Sequence, residues 1–288
     1  MIVGIGGPTA AGKSALAVRL AKAWDAVVVS ADAMMVYRGM DIGTAKPTPE
    51  EQAGVPHFGL DVVDPDGAFD AAAFVRLAGE VIARFPRVIA VGGTHLYLRS
   101  LVRGLVETPP SDPELRAALE AEPDLWDRLS AVDPALAARL HPHDRVRLVR
   151  GLEAHAATGQ TLSGLHAAHA AAPDQISVAG LWLDRPDLDA RIDARVTEMV
   201  GMGYLTEVER LLTLSFGACK PMRTLGYRHL AAHLRGETEL EEATRCTRRD
   251  TRRFARKQRN WRKVLSWELA PEDPWDAANR AAERAWTR

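Results

Sequence analysis

The sequence predicts an α/β protein: a phosphate-loop (P-loop) parallel sheet with helices on both faces, carrying a mostly helical insertion. Three observations predict it. The segment GGPTAAGKS, residues 6–14, fits G-x-x-x-x-G-K-[ST] between an apolar run and a helical pattern. Short β-branched runs alternate with amphipathic stretches through the first third of the chain, the pattern of βαβ units. From Asp112 to about His169 the strand signal gives way to a stretch rich in Ala, Leu, Arg and Glu.

The elements follow in order. Met1 to Ile5 is a short apolar run and reads as a buried strand. Ser14 to Trp24 has helical spacing, with Leu16, Leu20 and Ala23 on one face. Ala26 to Ser30 (AVVVS) is a second strand and stops just before Asp32. Val75 to Phe85 reads as a helix, and Arg87 to Val91 (RVIAV) as a third strand ended by Gly92-Gly93. Parallel sheets bind ligands at the carboxyl ends of their strands. The P-loop, Asp32 and Gly92-Gly93-Thr94 all fall at such ends. The texture changes after Thr108-Pro109-Pro110, so the core is expected at residues 1–110 and 175–288 and the insertion at 111–174. Asp112, Asp124 and Asp133 stand where N-caps or first-turn acids precede short helices. The tract HAAHAAAPD, residues 166–174, reads as a mobile linker. Ile176 to Leu183 (ISVAGLWL) is another core strand, and Leu188 to Leu212 a long helical stretch bent near Gly201-Met202-Gly203.

Composition narrows the function classes. A net charge of −1 gives no global field towards nucleic acid, although a sum near zero hides clustering. The two cysteines, Cys219 and Cys246, lack a C-x-x-C partner, so neither a disulfide framework nor a zinc site is expected. Histidines 141, 143, 155, 166 and 169 do not keep the spacing of a metal-binding helix. The first apolar run is too short for a signal peptide, and no run approaches the ~20 residues that span a bilayer. A soluble, cytoplasmic protein is expected. The tract TRCTRRDTRRFARKQRNWRK, residues 244–263, holds ten cations against the single acid Asp250. Arg248, Arg252, Arg256, Arg259 and Lys263 recur every three or four residues, a basic ridge suited to a phosphate backbone. Phe254 and Trp261 read as core anchors beneath it, with stacking on bases as the alternative.

The P-loop motif has a direct physical basis. Its glycines let backbone N–H groups turn inward around phosphate oxygens, and the following helix adds its positive end. Lys13 contributes a charge, and the Ser14 hydroxyl suits a Mg²⁺ shell. The motif specifies phosphate, not nucleotide. A nucleotide hydrolase places an acid near the γ-phosphate, yet RVIAV runs into Gly92-Gly93-Thr94. The alternative acid is Asp32, as a Mg²⁺ support, a general base or a plain turn residue.

Six stretches together resemble one family. GPTAAGKS, SADAMMVYRGMDIGTAKP (30–47), VGGTHLYL (91–98), RLHPHDRVRLVRGLE (139–153), GYR (226–228) and TRRFARKQRNW (251–261) are similar, in the same order, to the tRNA dimethylallyltransferases, or tRNA isopentenyltransferases. The match extends to about residue 267, and YRGMDIGTAKP is its most specific part. The resemblance implies transfer of a dimethylallyl group from dimethylallyl diphosphate to N6 of the adenosine 3′ of the anticodon. It implies that Gly7, Pro8, Thr9, Ala10, Ala11, Gly12, Lys13 and Ser14 grip the diphosphate, with Mg²⁺ at Ser14. Lys13 and Arg228 would stabilise the leaving group, Asp32 would act as base, and Thr94 would line the channel. Asp32, Ala33, Met34 and Met35 would surround the adenosine. Arg116, Val146, Arg147, Leu148, Val149 and Arg150 would touch tRNA from the insertion. Arg252, Arg253, Arg256, Lys257 and Gln258 would touch it from the basic helix. Ala33 and Met35 replace the family's frequent Ser and Gln, His143 its Asn, and Asn260 its Thr. No Cys/His zinc module follows the basic stretch. A monomer is expected. The competing readings are a small-molecule P-loop kinase or NTPase, with the insertion as lid, and a non-catalytic RNA-binding protein. YRGMDIGTAKP and the basic helix separate the first reading from the kinase.

Overall fold

A computed structural model describes residues 1–106 and 112–287. The expected change of texture at Thr108-Pro109-Pro110 lies outside the described residues. The chain forms two compact units, Met1–Val102 with Ile176–Arg288, and Arg103–Gln175.

The first unit is built on one parallel sheet. Its strands are β1 (Ile2–Gly6), β2 (Val27–Ser30), β3 (His57–Phe58), β4 (Val88–Val91), β5 (Val178–Trp182) and β6 (Glu268–Leu269). Their order is β3-β2-β4-β1-β5-β6. β1, β2 and β4 are buried along their whole length. A strand covered on both faces reads as a continuous apolar run, which is how these three appear in the sequence. The edge strands β3 and β6 have two residues each, too few to carry a period.

Among the described residues, the helices of eight residues or more are α1 (Lys13–Trp24), α2 (Ala71–Arg84), α3 (His95–Arg103), α4 (Pro113–Ala121), α5 (Leu125–Val132), α6 (Arg145–Thr158), α7 (Leu162–Ala171), α8 (Leu188–Gly201), α9 (Tyr204–Thr213), α10 (Tyr227–Leu234), α11 (Leu240–Arg259) and α12 (Trp275–Trp286). Leu16 and Leu20 of α1 and the alanine stripe Ala277, Ala278, Ala281 and Ala282 of α12 cover one sheet face, over Val3, Ile5 and Leu181. Phe74 and Val81 of α2, with Leu98 of α3, cover the other, over Val27, Val29 and Ala90. A third core joins Tyr204 and Val208 of α9 and Tyr227 and Leu230 of α10 to Val36, Tyr37 and Met40.

Two expectations need correction. The stretch 188–212 is not one bent helix: Gly203, at φ 100°, divides it into α8 and α9. The tract expected as a linker is helical as far as Ala171, and Thr161 caps that helix by accepting the Gly164 N–H. Alanine-rich composition there reflects helix propensity, not looseness.

The second unit has its own core of Leu119, Leu125, Leu129, Leu148 and Leu152. Asp112 caps α4 by accepting the Glu114 and Leu115 N–H groups, and Asp133 accepts the Leu136 N–H. Asp124 occupies the cap position of α5 without a side-chain hydrogen bond. No helix among the described residues is long and apolar enough to cross a membrane. Cys219 and Cys246 are both free thiols.

Candidate active site

The carboxyl ends of β1, β2 and β4 open into a cavity of about 1330 Å³, lined wholly by residues of the first unit. Two glycines let the backbone pass closely at these strand ends. Gly7 has φ 144°, and a Cβ there would lie 2.3 Å from the Leu183 carbonyl oxygen. A Cβ on Gly92 would lie 2.0 Å from the Ala31 carbonyl oxygen, so only glycine lets the end of β4 pass beside the end of β2.

The P-loop leaves β1 and curls through left-handed residues at Ala10 (φ 64°) and Gly12 (φ 89°). The helix α1 then starts at Lys13, so its first N–H groups open into the cavity. Lys13 Nζ donates to the Pro8 carbonyl at 2.8 Å. Loss of hydration pushes its ammonium down to about 8; Asp32 opposes that shift and Arg195 adds to it. Ser14 lines the cavity beside it.

Asp32 sits where β2 ends. Its Oδ1 accepts the N–H groups of Met34 (2.8 Å) and Met35 (3.4 Å), while Oδ2 has no partner among the described residues. One carboxylate thus shapes a turn with one oxygen and leaves the other free. Thr94 fastens the end of β4 to that turn: its Oγ1 accepts the Ala33 N–H at 2.9 Å, and its N–H donates to the Ala31 carbonyl at 3.1 Å. The Thr94 hydroxyl proton is left to donate. Ala33, Met34 and Met35 line the same cavity, and so does Arg228, whose Nη2 donates to Asp250 at 2.5 Å.

The basic helix α11 contradicts the simple ridge. Arg248 donates to Thr197, Arg252 pairs with Asp193, Arg256 with Asp189, and Arg259 with Asp184. The face expected to lie open for RNA instead lies against α8 and the residues before it. Arg253, Phe254 and Lys257 line the cavity from the adjoining face. Phe254 is 42 % exposed, so it is not a core anchor. Trp261 lines the cavity and lies tilted towards His95, which rests on Trp182. Gln258 is not an RNA-facing side chain either. It is buried, accepts the Thr9 N–H at 2.8 Å and donates to the Gly93 carbonyl at 2.8 Å, bracing the P-loop against the end of β4.

In the second unit, Leu148 and Val149 are fully buried core residues, which removes them as side-chain contacts to tRNA. Arg116 grips the buried Glu153 with two hydrogen bonds, at 3.1 and 2.9 Å, joining α4 to α6. Arg150 is 3.8 Å from the same carboxylate, and Arg147 pairs with Asp144. Val146 is exposed.

Several residues that line or brace the cavity have little or no signal in the sequence. Arg191 Nε donates to the Ala10 carbonyl at 2.9 Å, and Arg195 lines the cavity, its guanidinium pulled below the usual arginine value by burial. Their signal is present as two arginines four apart on the helix after a core strand. Glu207 has no local signal. This buried carboxylate accepts the N–H groups of Asp41, Ile42 and Gly43 and the Tyr227 hydroxyl, at 2.7–3.1 Å. Lys46 donates to the Tyr37 carbonyl and bridges Asp41 and Asp61. Two charges of opposite sign therefore pin YRGMDIGTAKP, whose inner side (Gly43, Thr44, Ala45) forms cavity wall.

Comparison with known proteins agrees with this architecture. Residues 35–264 match the family model described as IPP transferase. A tRNA dimethylallyltransferase of Anaeromyxobacter dehalogenans is 49 % identical over 98 % of this chain and 99 % of its own length. That of Geobacter sulfurreducens is 48 % identical over 90 % of this chain and 88 % of its own. The crystal structure of the tRNA isopentenylpyrophosphate transferase of Bacillus halodurans superposes with a TM-score of 0.71 at 33 % identity, covering 99 % and 96 % of the two chains. A eukaryotic dimethylallyltransferase acting on tRNA superposes with a TM-score of 0.84 at 25 % identity, covering 98 % of this chain and 76 % of that one. With its P-loop, its acid-free β4 end and its YRGMDIGTAKP wall on a single cavity, the chain belongs to the IPP transferase family and is a tRNA-modifying prenyltransferase.

Proposed function

We propose that the chain moves a dimethylallyl group from dimethylallyl diphosphate to N6 of the adenosine adjacent, on the 3′ side, to the tRNA anticodon. One observation carries this reading: the P-loop with Lys13 and the free Oδ2 of Asp32 face a single cavity, while β4 ends in Gly92-Gly93-Thr94 rather than an acid. A phosphate grip and a lone base then serve transfer, with no water to activate. At about 1330 Å³ the cavity exceeds the ~300–1,000 Å³ of ordinary small-molecule pockets and has room for a nucleobase beside a five-carbon tail.

The chemistry divides among named groups. An adenine amine is a weak nucleophile because its lone pair is delocalised into the ring. An allylic carbon compensates, since its bond to the diphosphate oxygen breaks towards a delocalised cation, the electron pair leaving with oxygen. Lys13, Arg228 and the N–H groups at the start of α1 stabilise the charge growing on that oxygen. Arg195 and Arg191, beside the loop, add to the same field. As the C–N bond forms, Asp32 Oδ2 accepts the N6 proton and later yields it to water. Thr94, fixed through Ala33, offers its hydroxyl to the base or the diphosphate.

No cluster of three or more His, Cys, Asp or Glu suited to a metal exists among the described residues. Ser14, which lines the cavity beside Lys13, would hold Mg²⁺ there as an oxygen donor. When bound, it supplies positive charge against the leaving diphosphate. The adenosine reaches the cavity by leaving the anticodon stack. Arg253 and Lys257 meet the RNA backbone at the cavity edge. A cytoplasmic monomer fits this work.

The test mixes the protein with unmodified tRNA, dimethylallyl diphosphate and Mg²⁺, then digests the RNA and weighs the nucleosides. Isopentenyladenosine at the position 3′ of the anticodon is expected. Turnover of ATP without that product supports the kinase reading instead.

A further inference from the structure

The single acid of the basic tract has an organising position. Asp250 is 7 % exposed and lines the cavity with Arg228 and Arg253. Its Oδ2 accepts from Arg228 Nη2 at 2.5 Å and meets His229 Nε2 at 3.1 Å. Its Oδ1 accepts from Arg249 Nε at 2.9 Å and lies 3.6 Å from Arg253 Nη1. Hydrogen bonds from Arg249, then Arg228 and His229, outweigh burial and hold the carboxyl far below the usual range. Three guanidinium groups from two helices thus converge on one carboxylate, with a large excess of positive charge. Arg228 Nη1 has no hydrogen-bond partner among the described residues, so its pairing with Asp250 leaves part of the fork for a ligand.

We propose that Asp250 is a positioning residue with two opposed effects. It holds Arg228 oriented towards the leaving diphosphate, and its negative charge weakens the pull of Arg249 and Arg253 on the RNA backbone. The inference rests on the transfer reading above. It predicts a split that loss of structure alone does not produce. Removing the charge frees Arg228, so the chemical step slows. It also frees two surface cations and deletes an anion beside them, so RNA binds more tightly.

The experiment compares the full-length protein with Asp250→Asn, a near-isosteric change. Product formation by the unaltered protein decides the parent reading first and independently. For Asp250→Asn, kcat is expected to fall by roughly tenfold, the scale on which supporting residues act. The tRNA Kd is expected to fall, with a steeper dependence on salt. In a cycle with Arg228→Gln, the second substitution should add little to the first in kcat. An unchanged kcat, or slower transfer with weakened tRNA binding, overturns the proposal; so does full additivity with Arg228→Gln. Should Asp250→Asn fail to fold, Asp250→Glu keeps the charge while displacing it. That variant should slow transfer and leave the salt dependence of tRNA binding unaltered, and the reverse pattern overturns the proposal.

Discussion

Lys13 illustrates how burial tunes one side chain for one ligand. Its proton is held only to about pH 8, because loss of hydration and the nearby Arg195 outweigh the pull of Asp32. A diphosphate arriving beside it favours the charged form. The free enzyme therefore carries the binding-competent ammonium below pH 8 and loses it above. Accordingly, kcat/KM for dimethylallyl diphosphate should fall about tenfold per pH unit beyond that point. Lys13→Arg should move this limb out of the accessible range while lowering activity; a limb that stays in place assigns it to another group. Asp32 allows a cleaner substitution than alanine. Asp32→Asn keeps an Oδ1 acceptor for the Met34 and Met35 N–H groups and removes only the basicity. We expect kcat to drop by about 10²–10⁴-fold with tRNA affinity nearly unchanged. A large loss of affinity with transfer intact rules out the proposed base.

At the scale of elements, α11 shows why charge counts along a helix mislead. The acids that neutralise its ridge come from Asp184, Asp189 and Asp193, more than fifty residues earlier in the chain and invisible to a local window. Two sets of cations result, and they should respond differently. Replacing Arg253 and Lys257 with alanine should weaken tRNA binding and flatten its log–log salt dependence by ~0.7–0.9 for each phosphate these side chains neutralise. Replacing Arg252 and Arg256 should leave that slope nearly alone. It should instead lower stability by about 0.2–1 kcal/mol per pair, since both pairs are partly solvent-exposed. Equal slopes for the two double variants contradict this division. The loop YRGMDIGTAKP follows the same logic. Its residues form no helix or strand of length, yet Glu207 from α9 collects three of its N–H groups, and Lys46 bridges Asp41 and Asp61. A buried carboxylate is tolerable there because its oxygens are saturated by donors.

For the whole molecule, the division into units makes its own prediction. The Ile176 N–H donates to the Val102 carbonyl at 3.2 Å, so the chain leaves and re-enters the first unit at adjacent points. The second unit has a separate core. Replacing residues 103–175 by a short Gly/Ser linker should therefore leave a cooperatively unfolding protein that still binds inorganic diphosphate. Loss of cooperative unfolding would show that the sheet depends on the insertion. The sequence by itself determined the parallel sheet's central strands, because β1, β2, β4 and β5 are apolar runs whose meaning does not depend on distant partners. It determined the phosphate loop, whose glycines and lysine act through local backbone geometry, and the convergence of Asp32 and Thr94 at strand ends. Only the tertiary structure decided which polar groups are free. Gln258 is spent on Thr9 and Gly93, the ridge arginines on α8 and Asp184, and Leu148 and Val149 on a core, whereas Arg191, Arg195 and Phe254 reach the cavity or its loop. The reason is physical. Backbone conformation and burial are written in local pattern, but the partner of a charge or an amide is fixed by whichever chain segment packs against it.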